Sequence, residues 1–270
     1  MYKRQLQHGG PGADANNHAC LNVALYSPGA RRWTMTERGR ASVRRELRSL
    51  AIGPSSLAWC GNALAIDIDE VANPLPRRVL GRVRVLPLGL SCFSAALDGA
   101  GRHRWGPIAP CARIEVDLHS PALRWQGHAY FDSNEGDEPI ASPFARWDWL
   151  RAPLANGSTA VVYDVQQKHG APDRVIATRL APDGRAEAFD APPRQALPAS
   201  AWFVKRSVRS DAAGARLVRT LEDTPFYARS LLQSSLCGER VTAVHESLDI
   251  PRLDSAAVRM LLPFRMPRRR

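Results

Sequence analysis

Nineteen glycines and 21 prolines recur along all 270 residues, leaving intervals that suit strands or short helices only. Between these breaks apolar and polar residues alternate with period two, the mark of a half-buried strand. Leu64, Ile66 and Ile68 stand against Ala65, Asp67 and Asp69; Val83 and Val85 against Arg82 and Arg84; Ile114, Val116 and Leu118 against Glu115 and Asp117. Further strands are expected over 21–26, 32–36, 122–132, 147–154, 159–165, 174–180, 226–236, 240–248 and 257–262. Asp98-Gly99, Asn156-Gly157 and Asp183-Gly184 mark turns between them. The expected class is all-β and antiparallel. Over 40–50, Val43, Leu47 and Leu50 fall at helical spacing amid arginines, which reads equally as an exposed helix or a basic loop. One closed sheet of so many strands would be very wide. Two smaller barrels packed side by side are expected instead, spanning 1–120 and 121–270 and dividing at Ser120-Pro121.

A hydrophobic content of 44% supplies a core, but the longest apolar runs, such as Leu57 to Cys60 and Ala160 to Tyr163, are far shorter than the ~20 residues of a membrane-spanning helix. Basic residues outnumber acidic ones 37 to 26, and all but Lys3, Lys168 and Lys205 are arginines. A formal charge of +11 suits an acidic partner, either an anionic membrane surface or nucleic acid. Against nucleic acid stand the absence of a known binding module and an aromatic content of 7%. The five cysteines (Cys20, Cys60, Cys92, Cys111, Cys237) form no Cys-x-x-Cys pair and have no histidine at metal spacing. They read as small, buried, reduced residues, so no metal site is expected, and the compartment is expected to be cytoplasmic. Met1 to Ala19 holds no apolar signal segment.

Two segments concentrate reactive side chains: Gly101 to Pro110 (GRHRWGPIAP) and Gly127 to Pro139 (GHAYFDSNEGDEP). In an extended chain His103 and Trp105 share one strand face, and so do Tyr130 and Asp132. Asp132 follows the apolar run Ala129-Tyr130-Phe131, where burial would hold its carboxyl neutral and able to donate a proton. The competing reading has Asp132 opening a turn toward Gly136, and spacing alone favours it. By the same measure His103 is a hydrogen-bonded loop residue, and Trp105 and Tyr130 are core. Trp147-Asp148-Trp149 reads as a strand with both indoles on one face. His245-Glu246-Ser247 contains triad residues, but no Gly-x-Ser-x-Gly elbow accompanies it. Glycine-rich dinucleotide or phosphate loops and a His-Glu-x-x-His motif are likewise missing, so nucleotide and zinc-peptidase chemistry have no foothold. The arginines at 265 and 268–270 form a basic tail that either rests on anionic lipid or is simply solvated.

Together these segments resemble the carotenoid 1,2-hydratase (hydroxyneurosporene synthase) family. The matching strings are HACLNVALY at 18–26, WTMTERGR at 33–40, the two segments above, Trp147-Asp148-Trp149, LEDTPFYARS at 221–230, HESL at 245–248 and LPFRMPR at 262–268. The resemblance implies a pair of lipocalin-like domains and a cofactor-free hydro-lyase that adds water across the terminal C1=C2 bond of an acyclic carotenoid such as neurosporene or lycopene. It implies Asp132 as the acid, with His103, Trp105 and Tyr130 also needed for activity, and Trp105, Tyr130 and Phe131 against the substrate. His103 would either hold the acidic hydrogen on the useful carboxyl oxygen or position the water. A membrane-borne substrate implies peripheral contact with an anionic inner, photosynthetic membrane, and no nucleic acid. Met1-Tyr2-Lys3-Arg4-Gln5 resembles a translated sequencing adaptor, and the family carries further sequence ahead of His18, so an incomplete first barrel is expected. The alternative is a non-catalytic carrier of isoprenoids, which needs the cavity but no acid.

Overall fold

The computed structural model describes residues 14–269; the adaptor-like first five residues lie outside them. A 3-10 turn (Ala15–His18) precedes a hairpin of β1 (Asn22–Leu25) and β2 (Arg32–Met35), followed by β3 (Glu37–Arg38). Next come β4 (Val43–Arg45), β5 (Ser49–Ile52), β6 (Ser55–Cys60), β7 (Ala63–Val71), β8 (Arg78–Pro87) and β9 (Ala95–Ala96). Two long strands, β10 (His103–Ser120) and β11 (Ala122–Gly136), meet at Pro121. The expected boundary at Ser120-Pro121 thus falls at the tip between two neighbouring strands. After them run β12 (Phe144–Pro153), β13 (Thr159–Gln167), β14 (Arg174–Leu180) and β15 (Ala186–Ala188). A hairpin of β16 (Arg194–Leu197) and β17 (Arg206–Arg209) precedes β18 (Arg216–Asp223), β19 (Tyr227–Leu236) and β20 (Glu239–Asp249). The chain closes with helices α1 (Ile250–Leu253) and α2 (Ala256–Arg265) and with β21 (Arg268–Arg269), which pairs with β3 in parallel.

The fold is all-β, as its alternation demands. Two large sheets dominate, in the orders β11-β10-β8-β7-β6-β5-β4, with β9 on β10, and β15-β14-β13-β12-β20-β19-β18. Each is an open path of hydrogen-bonded strands rather than a closed ring, which refines the expected barrels. Contacts divide the chain into two compact units. One comprises the chain up to Pro87, Arg113–Ala129 and the end from Arg259; the other comprises Leu88–Ala112 and Tyr130–Val258.

In the first unit Ile68, Val79, Val116 and Leu118 form the core beneath Leu21, Val23 and Leu25. Glu70, 1% exposed, is paired with Arg38 at 3.2 Å and accepts from Ser55 at 2.9 Å, so its burial leaves no charge unmatched. The second unit is built around the seven-stranded sheet, one of whose inner strands, β13, is buried on both faces. Ala160 and Val162 face a core with Leu150, Leu232, Ala243, Leu197 and Val208. Val161, Tyr163 and Val165 face an opposite core with Trp105, Phe144, Leu248 and Ile250. The β16–β17 hairpin is clamped over the first of these faces, because Arg194 and Arg209 both bind Asp164, and the Ser207 hydroxyl donates to Asp148 at 2.6 Å.

Three local expectations are corrected. Residues 40–50 are neither helix nor loop but a 3-10 turn (Arg40–Ser42) leading into β4 and β5, with Leu47 exposed at the bend. The strand expected over 257–262 is α2, because Val258, Leu262 and Met266 are buried four residues apart, a helical interval that short-range alternation hid. Of the five cysteines only Cys111 is buried, and Cys60 and Cys92 are exposed.

Candidate active site

Strand β10 enters the second unit with alternating burial. His103, Trp105, Pro107 and Ala109 are buried, and Arg104 is exposed. Hence His103 and Trp105 do share a face, as their spacing required. Asp132 opens no turn: β11 continues to Gly136 and carries Tyr130 and Asp132 on one face. Phe131, between them, points to the other side and is not part of the aromatic cluster around Trp105 that takes in Tyr130. The strand's two-residue period thus separates it from the acid it was expected to accompany.

Trp105 and Asp132 meet directly. The indole Nε1 donates to Asp132 Oδ2 at 2.8 Å, and the Tyr130 hydroxyl donates to the same oxygen at 3.1 Å. Burial pushes the Asp132 carboxyl above the usual carboxylate range, against the pull of these two donors, and the charge of Glu246 acts in the same direction as burial. With both donors on Oδ2, the carboxyl hydrogen belongs on Oδ1. Burial also drives the Tyr130 phenol far upward, so it stays a donor throughout the ordinary pH range.

Around this trio the packing is aromatic. Trp105, fully buried, takes edge contacts from Phe93 and Tyr163 with ring centroids 6.0 Å away in each case. Phe93 also lines a pocket of about 150 Å³ with Cys92, Arg104, Ile108 and Ser133. Trp149 tilts against Tyr130 at 5.6 Å, and the Arg151 guanidinium lies 5.4 Å from the centre of the Tyr130 ring. Trp149 and Arg151 are two apart on β12 and therefore share its inner face. The spacing of Trp147 and Trp149 showed them to be co-facial. Arg151 went unnoticed because nothing in a lone arginine after a tryptophan-rich strand distinguishes it from surface charge.

His103 does not touch Asp132. Its Nδ1 faces Asp98 Oδ2 at 2.7 Å and its Nε2 faces the Glu138 carbonyl at 3.0 Å, both acceptors. Neither expected role, steering the acidic hydrogen or holding water, is open to a ring engaged at both nitrogens. Instead His103 ties the start of β10 to Glu138, two residues beyond the end of β11, and stands two residues from Trp105. Asp98 is buried too. Burial works to raise its carboxyl, but the His103 ring and the backbone N–H groups of Arg102 and His103 outweigh this and hold it below the ordinary value. Gly136 makes room for the imidazole: a Cβ there would stand 2.7 Å from His103 Cδ2.

The residues of the apparent triad at 245–247 do not assemble. Ser247 donates to Asp148, His245 Nε2 donates to the Ser207 carbonyl, and Glu246, on the opposite face of β20, is paired with Arg229 at 2.6 Å. Among the described residues no cluster of His, Cys, Asp or Glu is arranged to hold a metal ion, and no helix is long and apolar enough to cross a membrane.

This all-β scaffold sets one half-buried carboxyl against an indole and a phenol in aromatic surroundings. The chain belongs to the carotenoid hydratase CrtC family, whose sequence profile matches residues 8–270. It is 57% identical over 265 residues to the acyclic carotenoid 1,2-hydratase of Rubrivivax gelatinosus, covering 97% of this chain and 65% of that one. To the acyclic carotenoid 1,2-hydratase of Thiocapsa roseopersicina it is 51% identical, covering 94% and 63%. It spans a little under two thirds of the length of those two relatives. A third relative of the same name, from Cereibacter sphaeroides, is 39% identical and covered to 91% of its length. Among solved structures, an AttH-assigned protein of Nitrosomonas europaea superposes with a TM-score of 0.56 at 11% identity, over 80% of this chain and 76% of that one, a likeness of fold alone.

Proposed function

We propose that this protein is a hydro-lyase that hydrates the terminal C1=C2 bond of an acyclic carotenoid such as lycopene or neurosporene, without a cofactor. The observation that carries this reading is the half-buried Asp132 carboxyl, whose Oδ2 accepts from both Trp105 and Tyr130 while Oδ1 is left for the acidic hydrogen. An alkene is a very weak base, so only a well-placed acid kept neutral can protonate it. Asp132 Oδ1–H gives its proton to C2, the π electrons form the new C–H bond, and a tertiary cation develops at C1. The two donors on Oδ2 stabilise the carboxylate left behind. Water attacks C1, and the resulting oxonium loses a proton to Asp132, which is thereby restored. The product is a tertiary alcohol and the balance is one water added.

Tyr130 serves chiefly as a donor here, since one guanidinium already lies against its ring. His103 acts by holding β10 and β11 together at the level of the acid. Peripheral contact with an anionic, carotenoid-bearing inner membrane on the cytoplasmic side belongs to the same reading, supported by the net charge of +11.

The test supplies lycopene or neurosporene in detergent micelles and follows 1-hydroxylated product by chromatography, with Asp132→Asn in parallel. Alcohol from the parent chain and none from the variant is the expected result. An equally active Asn variant removes Asp132 from the mechanism and leaves polyene binding as the better description.

A further inference from the structure

One face of the seven-stranded sheet carries a row of charges beside the acid. Strand register sets Arg229 opposite Glu246 and Glu246 opposite Trp149. Arg151 stands opposite Val244, two residues along β12 from Trp149, and so lies diagonal to Glu246, within reach of a long side chain. Arg229 grips Glu246 Oε1 through Nε at 2.8 Å and Nη2 at 2.6 Å. Trp149 and Arg151 both pack on Tyr130, whose hydroxyl bonds Asp132. The Glu246 carboxylate is thus gripped by Arg229 and lies diagonal to Arg151, whose guanidinium is seated on the ring that touches the acid.

We infer that Glu246 is a positioning residue for the acid: fixed by Arg229, it offsets the charge of Arg151 at Asp132, so that Arg151 can orient Tyr130 without drawing the hydrogen off the carboxyl. This inference rests on the reading of Asp132 as the proton donor. Arg151 is needed where it is, because its guanidinium braces one face of Tyr130 and Trp149 packs against the same ring. Its charge nevertheless favours the carboxylate, and Glu246 favours the acid. Asp132 is contacted by Trp105 from β10 and Tyr130 from β11, and its titration feels the charges of Arg151 on β12 and Glu246 on β20, with Arg229 paired to Glu246 from β19. Of these Glu246 is the one anion. A Glu246 that served only to neutralise Arg229 would affect folding and leave the titration of Asp132 where it is.

The hydrogen bond from Trp105 to Asp132 provides a readout that does not need turnover. With the full chain labelled at tryptophan indole nitrogens, the Trp105 N–H resonance is followed against pH in the parent, Glu246→Gln, Arg151→Met and the double variant, and Asp132→Asn identifies the Asp132 titration by abolishing it. Glu246→Gln is expected to move the midpoint down by about one pH unit, Arg151→Met to move it up, and the double variant to return it near the parent, as opposed charges at this range in a partly buried site require. Where product is measured, the alkaline limb of kcat/KM follows the same order. Superimposable titrations for Glu246→Gln and the parent overturn the inference, even with Asp132→Asn inactive. Full activity of Asp132→Asn overturns the acid reading itself, whatever the titrations show.

Discussion

The Trp105 indole and the Tyr130 hydroxyl converge on a single oxygen of Asp132, at 2.8 and 3.1 Å, though Trp105 and Asp132 lie 27 residues apart on different strands. Two donors on Oδ2 polarise the carboxyl in one direction, which makes the unbonded oxygen the one that gives up hydrogen.

Trp105→Phe tests this polarisation. The ring survives and the donor is lost, so the carboxylate formed in the transition state is less stabilised. Turnover of lycopene is expected to fall by about tenfold to a hundredfold, while packing costs stay near 1–3 kcal/mol. Unchanged turnover with an intact circular dichroism spectrum would show that Oδ2 needs no indole.

Asp132→Asn should make the protein more heat-stable at neutral pH. Because folding raises the Asp132 carboxyl above its unfolded value, its contribution to stability is full below the unfolded pKa and is lost as pH rises through the folded one. The amide carries no such loss. A gain of ~2–4 °C in Tm at pH 8, as expected for about 1 kcal/mol in a chain of this size, should shrink toward zero near pH 3. A gain that is the same at both pH values contradicts the linkage.

Asp98 has the opposite sign. Its carboxyl is held low in the folded protein, so its stabilisation is present above the unfolded value and disappears as pH falls through the folded one. His103→Ala leaves a buried carboxylate without its ring partner and is expected to cost ~3–5 kcal/mol at pH 7. Denaturant titration at pH 7 and pH 3.5 should show the variant's deficit narrowing in acid.

Gly136→Ala places a methyl 2.7 Å from an imidazole held at both nitrogens. A loss of roughly 1–3 kcal/mol is expected, accompanied by lower kcat as the link between β10 and β11 shifts. Wild-type stability would mean that the His103 ring can yield after all.

Much of this arrangement was legible locally. The two-residue period of β10 and β11 put His103 with Trp105 and Tyr130 with Asp132, because a strand's side chains alternate whatever lies around it. That same period excludes Phe131 from the acid, a consequence already present in the spacing. The helix α2 was hidden because its buried residues, four apart, sit among exposed Met260, Leu261 and Phe264, a pattern that hydrophobicity alone does not separate from a strand.

By itself the sequence determined the strand class, the pairing of side chains within each strand and the family to which the chain belongs, since these depend on intervals of two to four residues and on runs of identical letters. Tertiary structure alone decided that Trp105 and Tyr130 share one oxygen of Asp132, that His103 serves Asp98 and Glu138, that Arg151 lies against the Tyr130 ring and that Arg229 grips Glu246. Those contacts join β10, β11, β12 and β20, and registry between strands distant in the chain is set by packing both faces of a sheet, which no single segment encodes.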